Sequence, residues 1–160
     1  ILLDAVTVTA ENATGILAVA AGDSDVRMSV VSSPVTLTSL TASFVGIEVA
    51  TSTGSTATMS AALDGNTVTG GGADVGIRAR ALAAGSTTCV NAEDNASAGV
   101  TSSYTMGQTA GTFQFTGWNG AFTLLANLMV RGNTATGAAP VAVGTIAAGV
   151  CTAPTAVTPL

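Results

Sequence analysis

The sequence repeats one phrase about every 31 residues, and this period limits the possible folds more than any other feature. Segments 15–29, 46–60 and 76–91 each begin with Gly-Ile, pass through small residues to a second glycine, and then reach an apolar residue. Internal periods of about 20–50 residues indicate architectures built from stacked coils. Four columns of equivalent residues keep a spacing of 30 to 32: Gly15/Gly46/Gly76, Gly22/Gly54/Gly85, Val6/Leu37/Val68 and Met28/Met59/Val90.

Each repeat contains three short stretches in which apolar and polar residues alternate. In the first repeat they read "AVTVT", "GILAVAA" and "DVRMSVV", and their β-branched residues fit a pleated strand. Glycine and Asn/Asp clusters such as "GDSD" and "DGN" separate the stretches, as tight turns require. Three strands and three turns fit one coil of a parallel β-helix, so we predict an all-β fold of about three such coils.

Equivalent residues of consecutive coils should lie directly over one another, about 4.8 Å apart. This geometry predicts interior ladders of apolar side chains, and the many Ala and Val residues suit a narrow interior. We expect three ladders: Ile16/Ile47/Ile77, Val6/Leu37/Val68 and Met28/Met59/Val90.

The repeated phrase stops near residue 100. Within a single structural domain, we therefore assign residues 1–100 to the coils, 101–137 to a capping segment, and 138–160 to a C-terminal strand and tail. Apolar residues at helical spacing predict a short amphipathic helix over 120–131 that covers the end of the stack. They are Phe122, Leu125, Leu128 and Met129. We expect Phe113, Phe115 and Trp118 to form an aromatic cap over the end of the core, and stacking on a sugar is the alternative.

Composition limits the surface and its partners. The 160 residues are 48% hydrophobic but only 8% charged and 4% aromatic, so Thr, Ser, Asn and Gly must cover much of the surface. A net charge of −5 gives no basic face for nucleic acid, and no apolar run is long enough to span a membrane. Weak surface charge opposes self-association only weakly.

Two cysteines, Cys89 and Cys151, fit one disulfide in an extracellular or cell-surface protein. Alternation turns Cys89 outward because Val90 points inward, so this bond would hold the C-terminal segment against the outside of the stack. Two reduced, buried thiols are the alternative. The opening "ILLDAVTVT" has no initiating Met, and we interpret the chain as a processed piece of a longer precursor.

Two stretches resemble bacterial secreted right-handed parallel β-helix repeat proteins. Residues 64–99, "DGNTVTGGGADVGIRARALAAGSTTCVNAEDNASAG", resemble the last coils of that group, and "GTFQFTGW…FTLLANLMVRGNTATG" resembles its closing segment. The group carries a Cys in the last repeat, then an aromatic strand, a short helix and a second Cys. The resemblance covers about residues 60–152 and implies an adhesin or surface-structural type, often without known activity. This chain is short for the group.

Residues that carry chemistry are few. Without His or Lys, the chain cannot form a Ser-His-Asp or Cys-His centre, a His-ligated zinc site, a Schiff base or a P-loop. We therefore predict no cofactor and no enzymatic activity, with polysaccharide cleavage as the least favoured alternative. Weak candidates for calcium ligands are Asp23, Asp25, Asp64 and Asp94, which are otherwise solvated turn residues.

Two further motifs have a functional and a structural interpretation. Arg78 and Arg80 share a face with Glu48 about one coil below, so they form either a patch for acidic glycans or a cross-strand charge pairing. The sequences "NAT" at 12–14 and "NAS" at 95–97 match the acceptor pattern for N-glycosylation, which arises easily in a chain of this composition.

The leading functional hypothesis is an extracellular structural subunit that assembles head to tail with copies of itself into a filament or surface layer. The first strands have no visible cover and could accept strand pairing. An adhesin or module that binds surface glycans is the alternative function, and a pilin-like β-sandwich subunit is the alternative fold. The residues expected at the assembly contact are Ile1, Leu2, Leu3, Val6 and Val8.

Overall fold

The computed structural model describes residues 1–38, 44–71, 74–137 and 139–147. Almost all of its regular structure is short β-strand, with one helix near the C-terminal end. The strands are β1 (Leu2–Asp4), β2 (Val8–Ala10), β3 (Ile16–Ala20), β4 (Asp25–Val31), β5 (Pro34–Leu37), β6 (Val45–Thr51), β7 (Thr58–Asp64), β8 (Thr67–Thr69), β9 (Val75–Ala81), β10 (Thr87–Glu93), β11 (Ala96–Ala98), β12 (Ser102–Gln108), β13 (Thr112–Phe115), β14 (Thr134–Thr136) and β15 (Val141–Val143); the helix is α1 (Leu124–Met129).

The strands form three parallel sheets of five strands each. Sheet A has the order β1-β4-β7-β10-β13, sheet B has β2-β5-β8-β11-β14, and sheet C has β3-β6-β9-β12-β15. Each strand therefore pairs with the strand three places along the chain, so the backbone winds through all three sheets once per coil. This arrangement is a parallel β-solenoid, which confirms the predicted fold class. It is not the alternative β-sandwich, whose strands pair antiparallel.

The repeated Gly-Ile phrase marks the corner between sheets B and C. Ile16 pairs with Ile47, and Ile47 pairs with Ile77, so the three isoleucines form one interior ladder at the spacing the sequence predicts. A Cβ atom on Gly46 would lie 2.3 Å from Cγ1 of Val68 and 2.7 Å from the carbonyl oxygen of Gly76. Glycine is required here because the two sheets approach too closely for any side chain.

The other two predicted ladders have a different register. Val35, rather than Leu37, pairs with Val68, and Leu37 pairs with Ala10. Val6 precedes β2 and is 37% exposed. The coils differ in length, because Val35 lies 27 residues after its partner Val8 but 33 residues before Val68. A prediction from a constant period therefore places this ladder two residues away from its position in the structure. The predicted residue still lies on the inward face, because strand side chains alternate with a period of two.

The methionine ladder shows the same two-residue shift. Met28 and Val90 both pair with Ala61, whereas Met59 pairs with Val26 and Thr88. Met28, Met59 and Val90 are nevertheless all buried in the core. The prediction identified the inward face correctly and the partners of Met59 incorrectly.

Buried side-chain amides run along the corner between sheets A and B. Nδ2 of Asn66 donates to Oδ1 of Asn95 at 2.9 Å, and Nδ2 of Asn95 donates to Oδ1 of Asn133 at 2.9 Å. The same two oxygens accept the backbone N–H groups of Asn66 and Asn95. Ser33 extends the row, because its N–H donates to Oδ1 of Asn66 at 3.0 Å. This asparagine ladder satisfies polar groups that would otherwise be buried without partners.

The C-terminal segment continues the coils before it caps them. β12 and β13 pair with β9 and β10, so residues 102–115 belong to the stack rather than to the predicted capping segment. Phe113 and Phe115 are fully buried core residues, and Trp118 is partly buried and packs against the core.

Helix α1 is shorter than the predicted 120–131 and presents a different face to the core. Thr123 is its N-cap, with Oγ1 accepting from the N–H of Ala126. Leu124 and Leu128 are buried, whereas Phe122, Leu125 and Met129 are exposed. The predicted apolar stripe is therefore wrong in all but Leu128, because the face that packs on the core is set by Leu124 and Leu128, four residues apart.

Helix α1 closes the asparagine ladder. The backbone N–H and Nδ2 of Asn133 donate to the carbonyl oxygen of Leu128 at 3.1 and 3.0 Å. In the preceding coil, the equivalent N–H of Asn95 donates to the asparagine of the next coil. The last turn of α1 thus occupies the position that a further coil would take. Within the described ranges, no helix has the length and apolar character needed to cross a membrane.

Candidate functional site

The first coil lies at one end of all three sheets. β1, β2 and β3 are the outermost strands of sheets A, B and C on this side. Leu3 and Val8 are only partly buried against the core, while Ile1 is 71% exposed. The residues predicted for an assembly contact therefore lie together at one end, where each outer strand presents backbone groups that no other strand of the described chain pairs.

The opposite end presents an apolar surface of a different kind. The exposed large apolar residues there lie on α1, beside it, or on β15, the outermost strand of sheet C. They are Phe122, Leu125, Met129, Val130 and Val141.

Among the residues that the structure describes, large apolar residues are exposed only at these two ends. At the first coil they are Ile1, Val6, Leu17 and Val19, and the described residues between 20 and 121 contribute none. We name the first set the N-terminal patch and the second set (Phe122, Leu125, Met129, Val130 and Val141) the C-terminal patch. Concentration of apolar surface into patches is typical of interaction sites, whereas single scattered apolar residues are not.

Glu48 is the centre of a charged cluster on the outer face of sheet C, where it contacts two arginines. Nε and Nη2 of Arg78 donate to its two carboxylate oxygens at 2.9 and 2.7 Å, and Nη2 of Arg80 donates to Oε1 at 2.6 Å. Glu48 pairs with Arg78 in register, as the one-coil spacing predicts. Burial opposes ionisation of Glu48, but the hydrogen bonds and charges of Arg78 and Arg80 outweigh it and hold the pKa below its ordinary value.

The acidic residues considered as calcium ligands form two separate pairs, Asp64 with Asp94 and Asp23 with Asp25. Asp64 is the last residue of β7 and pairs with Glu93, the last residue of β10. Asp94 follows Glu93 in the chain. Burial, reinforced by the charges of Glu93 and Asp94, raises the pKa of Asp64. Asp23 lies in the turn before β4, and Asp25 is the first residue of β4. The carboxylate of Asp25 is 3.7 Å from the Arg27 guanidinium. Among the described residues, no three His, Cys, Asp or Glu side chains are close enough together to hold a metal ion.

Arg131 ties the capping segment to the stack. Its guanidinium donates to the side chains of Asn91 and Glu93 and, at 3.3 Å, to the carbonyl oxygen of Ala92. Sequence reasoning assigned no role to Arg131.

Sequence reasoning also missed the structural role of Asp74. The carboxylate is fully buried, with Oδ1 accepting from the N–H of Phe44 at 3.1 Å and Oδ2 accepting from the N–H of Gly71 at 3.2 Å. Asp74 therefore joins the starts of β6 and β9, two neighbouring strands of sheet C, and its role is explained without a ligand.

Cys89 lies in β10 between inward-facing Thr88 and Val90, and it is 5% exposed. Its predicted partner, Cys151, lies outside the described residues, so the disulfide stays a prediction. Asn95, the first residue of the second glycosylation pattern, is fully engaged in the asparagine ladder. A glycan on Asn95 is incompatible with this fold.

Comparison with known proteins finds no match among protein families, curated proteins or solved structures. The fold is therefore established here by strand register alone.

Proposed function

We propose that this chain is an extracellular structural subunit, of the bacterial secreted type that its sequence resembles, and that copies of it join head to tail into a filament or surface layer. The observation that supports this proposal is that the exposed large apolar residues of the described ranges lie only at the two ends of the stack. The role is structural rather than catalytic.

The two ends differ, and this difference determines the kind of assembly. The N-terminal patch surrounds three unpaired strand edges, whereas the C-terminal patch includes the exposed face of α1. Contact between unlike surfaces at opposite ends is heterologous, and heterologous contacts that do not close into a ring produce filaments. Low surface charge and apolar ends both favour such contact.

Sedimentation velocity with two end variants tests the proposal. Val6→Glu/Val19→Glu alters the N-terminal patch, and Met129→Glu/Val130→Glu alters the C-terminal patch by the same charge. Each variant alone should be monomeric, and an equimolar mixture should form dimers, because each partner keeps one functional end. Thr58→Glu/Thr87→Glu, on the middle of sheet A, carries the same charge and should still polymerise.

Other results contradict head-to-tail assembly. If one end variant alone forms dimers, the contact joins two identical ends. Such a symmetric contact stops growth at the dimer and does not produce a filament. If the unmodified chain is monomeric at every concentration, this chain does not assemble through its ends at all.

We further propose that Cys89 and Cys151 form a disulfide in an oxidising extracellular location. Closing this loop would stabilise the fold by about 4 kcal/mol in the chain-entropy model. Peptide mass mapping without reductant should recover the linked pair, and alkylation of both thiols in the untreated protein would contradict it.

A glycan-binding role finds less support. Arg78 and Arg80, the residues suggested for acidic glycans, both direct donors at Glu48. A ligand carboxylate would have to displace a buried charged partner, and leaving that partner unpaired is costly. The structural interpretation of this cluster is therefore preferred.

A further inference from the structure

The outer face of sheet B carries two columns of threonine in register. One column runs through Thr9, Thr36, Thr69, Ala98 and Thr136, and the other runs through Pro34, Thr67, Ala96 and Thr134. Every threonine of these columns is exposed. We name this surface the threonine face. Two of its five strands, β8 and β14, present the pattern Thr-x-Thr, with the middle residue directed toward the core.

The threonine face is uncharged and lacks aromatic residues. The strands of sheet B read VTA, PVTL, TVT, ASA and TAT. By contrast, the outer face of sheet C carries Glu48, Arg78 and Arg80, and sheet A carries Asp25 and Arg27. Sheet A also has a threonine column, Thr58, Thr87 and Thr112, but that column continues into the charged Asp25. The threonine face differs from it in carrying no charge, and this difference points to an uncharged ligand.

The spacing of these threonines is fixed by the backbone. Neighbouring coils are about 4.8 Å apart, and alternate residues along a strand are about 6.7 Å apart. The inner strands of sheet B are hydrogen-bonded on both sides, so the positions of their side chains vary little. Oγ1 of Thr69 lies 3.4 Å from Oγ1 of Thr36 in the adjacent coil, within reach of a hydrogen bond. The hydroxyl and methyl groups therefore lie on a grid set by the strand spacings, with gaps at Pro34, Ala96 and Ala98.

The chemistry of this grid selects its ligand. Neither column contains a charge to attract an ion, and neither contains the aromatic surface on which a sugar ring packs. A threonine methyl group orders the water next to it, and its hydroxyl group donates and accepts hydrogen bonds with that water. Two perpendicular repeats of this size are close to those of the oxygen lattice of ice. From this match in spacing, polarity and charge, we propose that the threonine face binds the surface of ice crystals.

The proposal is independent of end-to-end assembly and is tested by thermal hysteresis and ice-crystal shape in the purified chain. The unmodified protein should shape growing crystals and lower their growth temperature below the melting point. Thr36→Lys/Thr69→Lys, at the centre of the face, should abolish both effects. Thr58→Lys/Thr87→Lys on sheet A is the matched control and should retain them. Circular dichroism and the melting temperature establish that each variant is folded.

A variant that extends the threonine face provides a second test, in which activity should rise instead of fall. Ala96→Thr/Ala98→Thr fills the interruption between Thr67/Thr69 and Thr134/Thr136, so it should increase hysteresis at equal concentration. Absence of hysteresis and of crystal shaping in the unmodified protein would overturn the proposal. Equal activity of the sheet B lysine variant would also overturn it. If that variant instead changes only the sedimentation coefficient, the face contacts another copy of the chain and does not bind ice.

Discussion

Nδ2 of Asn95 donates a 2.9 Å hydrogen bond to Oδ1 of Asn133 in the next coil, at a site where both residues are buried. Asn95 also donates to the carbonyl oxygen of Leu63 and accepts from the amide of Asn66. A single side chain thus fixes the register of three coils at the corner between sheets A and B. The stability of the stack should depend on this residue more than on any exposed position.

Replacing Asn95 should destabilise the fold strongly. Asn95→Ala removes the acceptor of the buried N–H of Asn66 and the side-chain donor to the carbonyl oxygen of Leu63, and a buried polar group left unpaired costs about 1–3 kcal/mol. We expect urea unfolding to show a loss of about 2–5 kcal/mol. Thr112→Ala, at an exposed strand position, should change the free energy of unfolding by less than about 0.5 kcal/mol. Equal effects of the two substitutions would contradict the role of the ladder.

The Gly-Ile corner predicts a steric effect. Gly46→Ala places a Cβ atom 2.3 Å from Cγ1 of Val68, so one of the two sheets must move. We expect a loss of about 1–3 kcal/mol in urea unfolding, the usual cost of overpacking. Gly120→Ala is the control, because its nearest neighbour, Nε1 of Trp118, would be 3.8 Å away. A neutral Gly46→Ala would show that the corner is wider than described.

The Glu48 cluster predicts a dependence of stability on pH. Because the folded-state pKa of Glu48 is lowered, its contribution is complete above the unfolded value of about 4.5 and is lost as the pH falls through the folded value. Glu48→Gln should therefore cost about 1–3 kcal/mol at neutral pH, and this difference should shrink in acid. Chemical denaturation across the acid range measures it. Asp25→Asn, which breaks only an exposed pair, should have little effect at any pH.

Asp64 should change the stability with pH in the direction opposite to that of Glu48. Its pKa is raised in the folded state, so the folded chain favours the protonated form, and stability is lost as the pH rises through the folded value. Asp64→Asn should stabilise the protein at neutral pH by up to about 1 kcal/mol, and the gain should disappear in acid. Asp4→Asn is the control, because Asp4 pairs with uncharged Val31 in sheet A. Destabilisation by Asp64→Asn at neutral pH would contradict the acidic crowding.

The sequence predicts those features that depend on alternation and a constant spacing. Ile16, Ile47 and Ile77 are found in register because the glycine before each of them anchors the same corner. Glu48 and Arg78, one coil apart on the same face, follow for the same reason. Predicting these features requires only the average length of a coil, not the length of each turn.

Features that depend on unequal turns could not be predicted in this way. Val35 takes the place assigned to Leu37 because the coil that follows it is longer than the coil before it. The asparagine ladder has a signal in "DGNTV", "EDNAS" and "RGNTA", where Asn follows a turn and precedes a strand. The insertion of α1 before Asn133 hides its period. The threonine face likewise needs the register of sheet B, since alternation alone does not show that two columns align.

Electron cryomicroscopy and fibre diffraction of the concentrated protein test end-to-end assembly most directly. The account predicts unbranched filaments in which the coils stack along the filament axis, so a strong reflection at about 4.8 Å should lie along that axis. The account would be contradicted by a protein that stays monomeric at every concentration or that forms closed rings or dimers. Filaments in which this reflection is perpendicular to the axis would also contradict it.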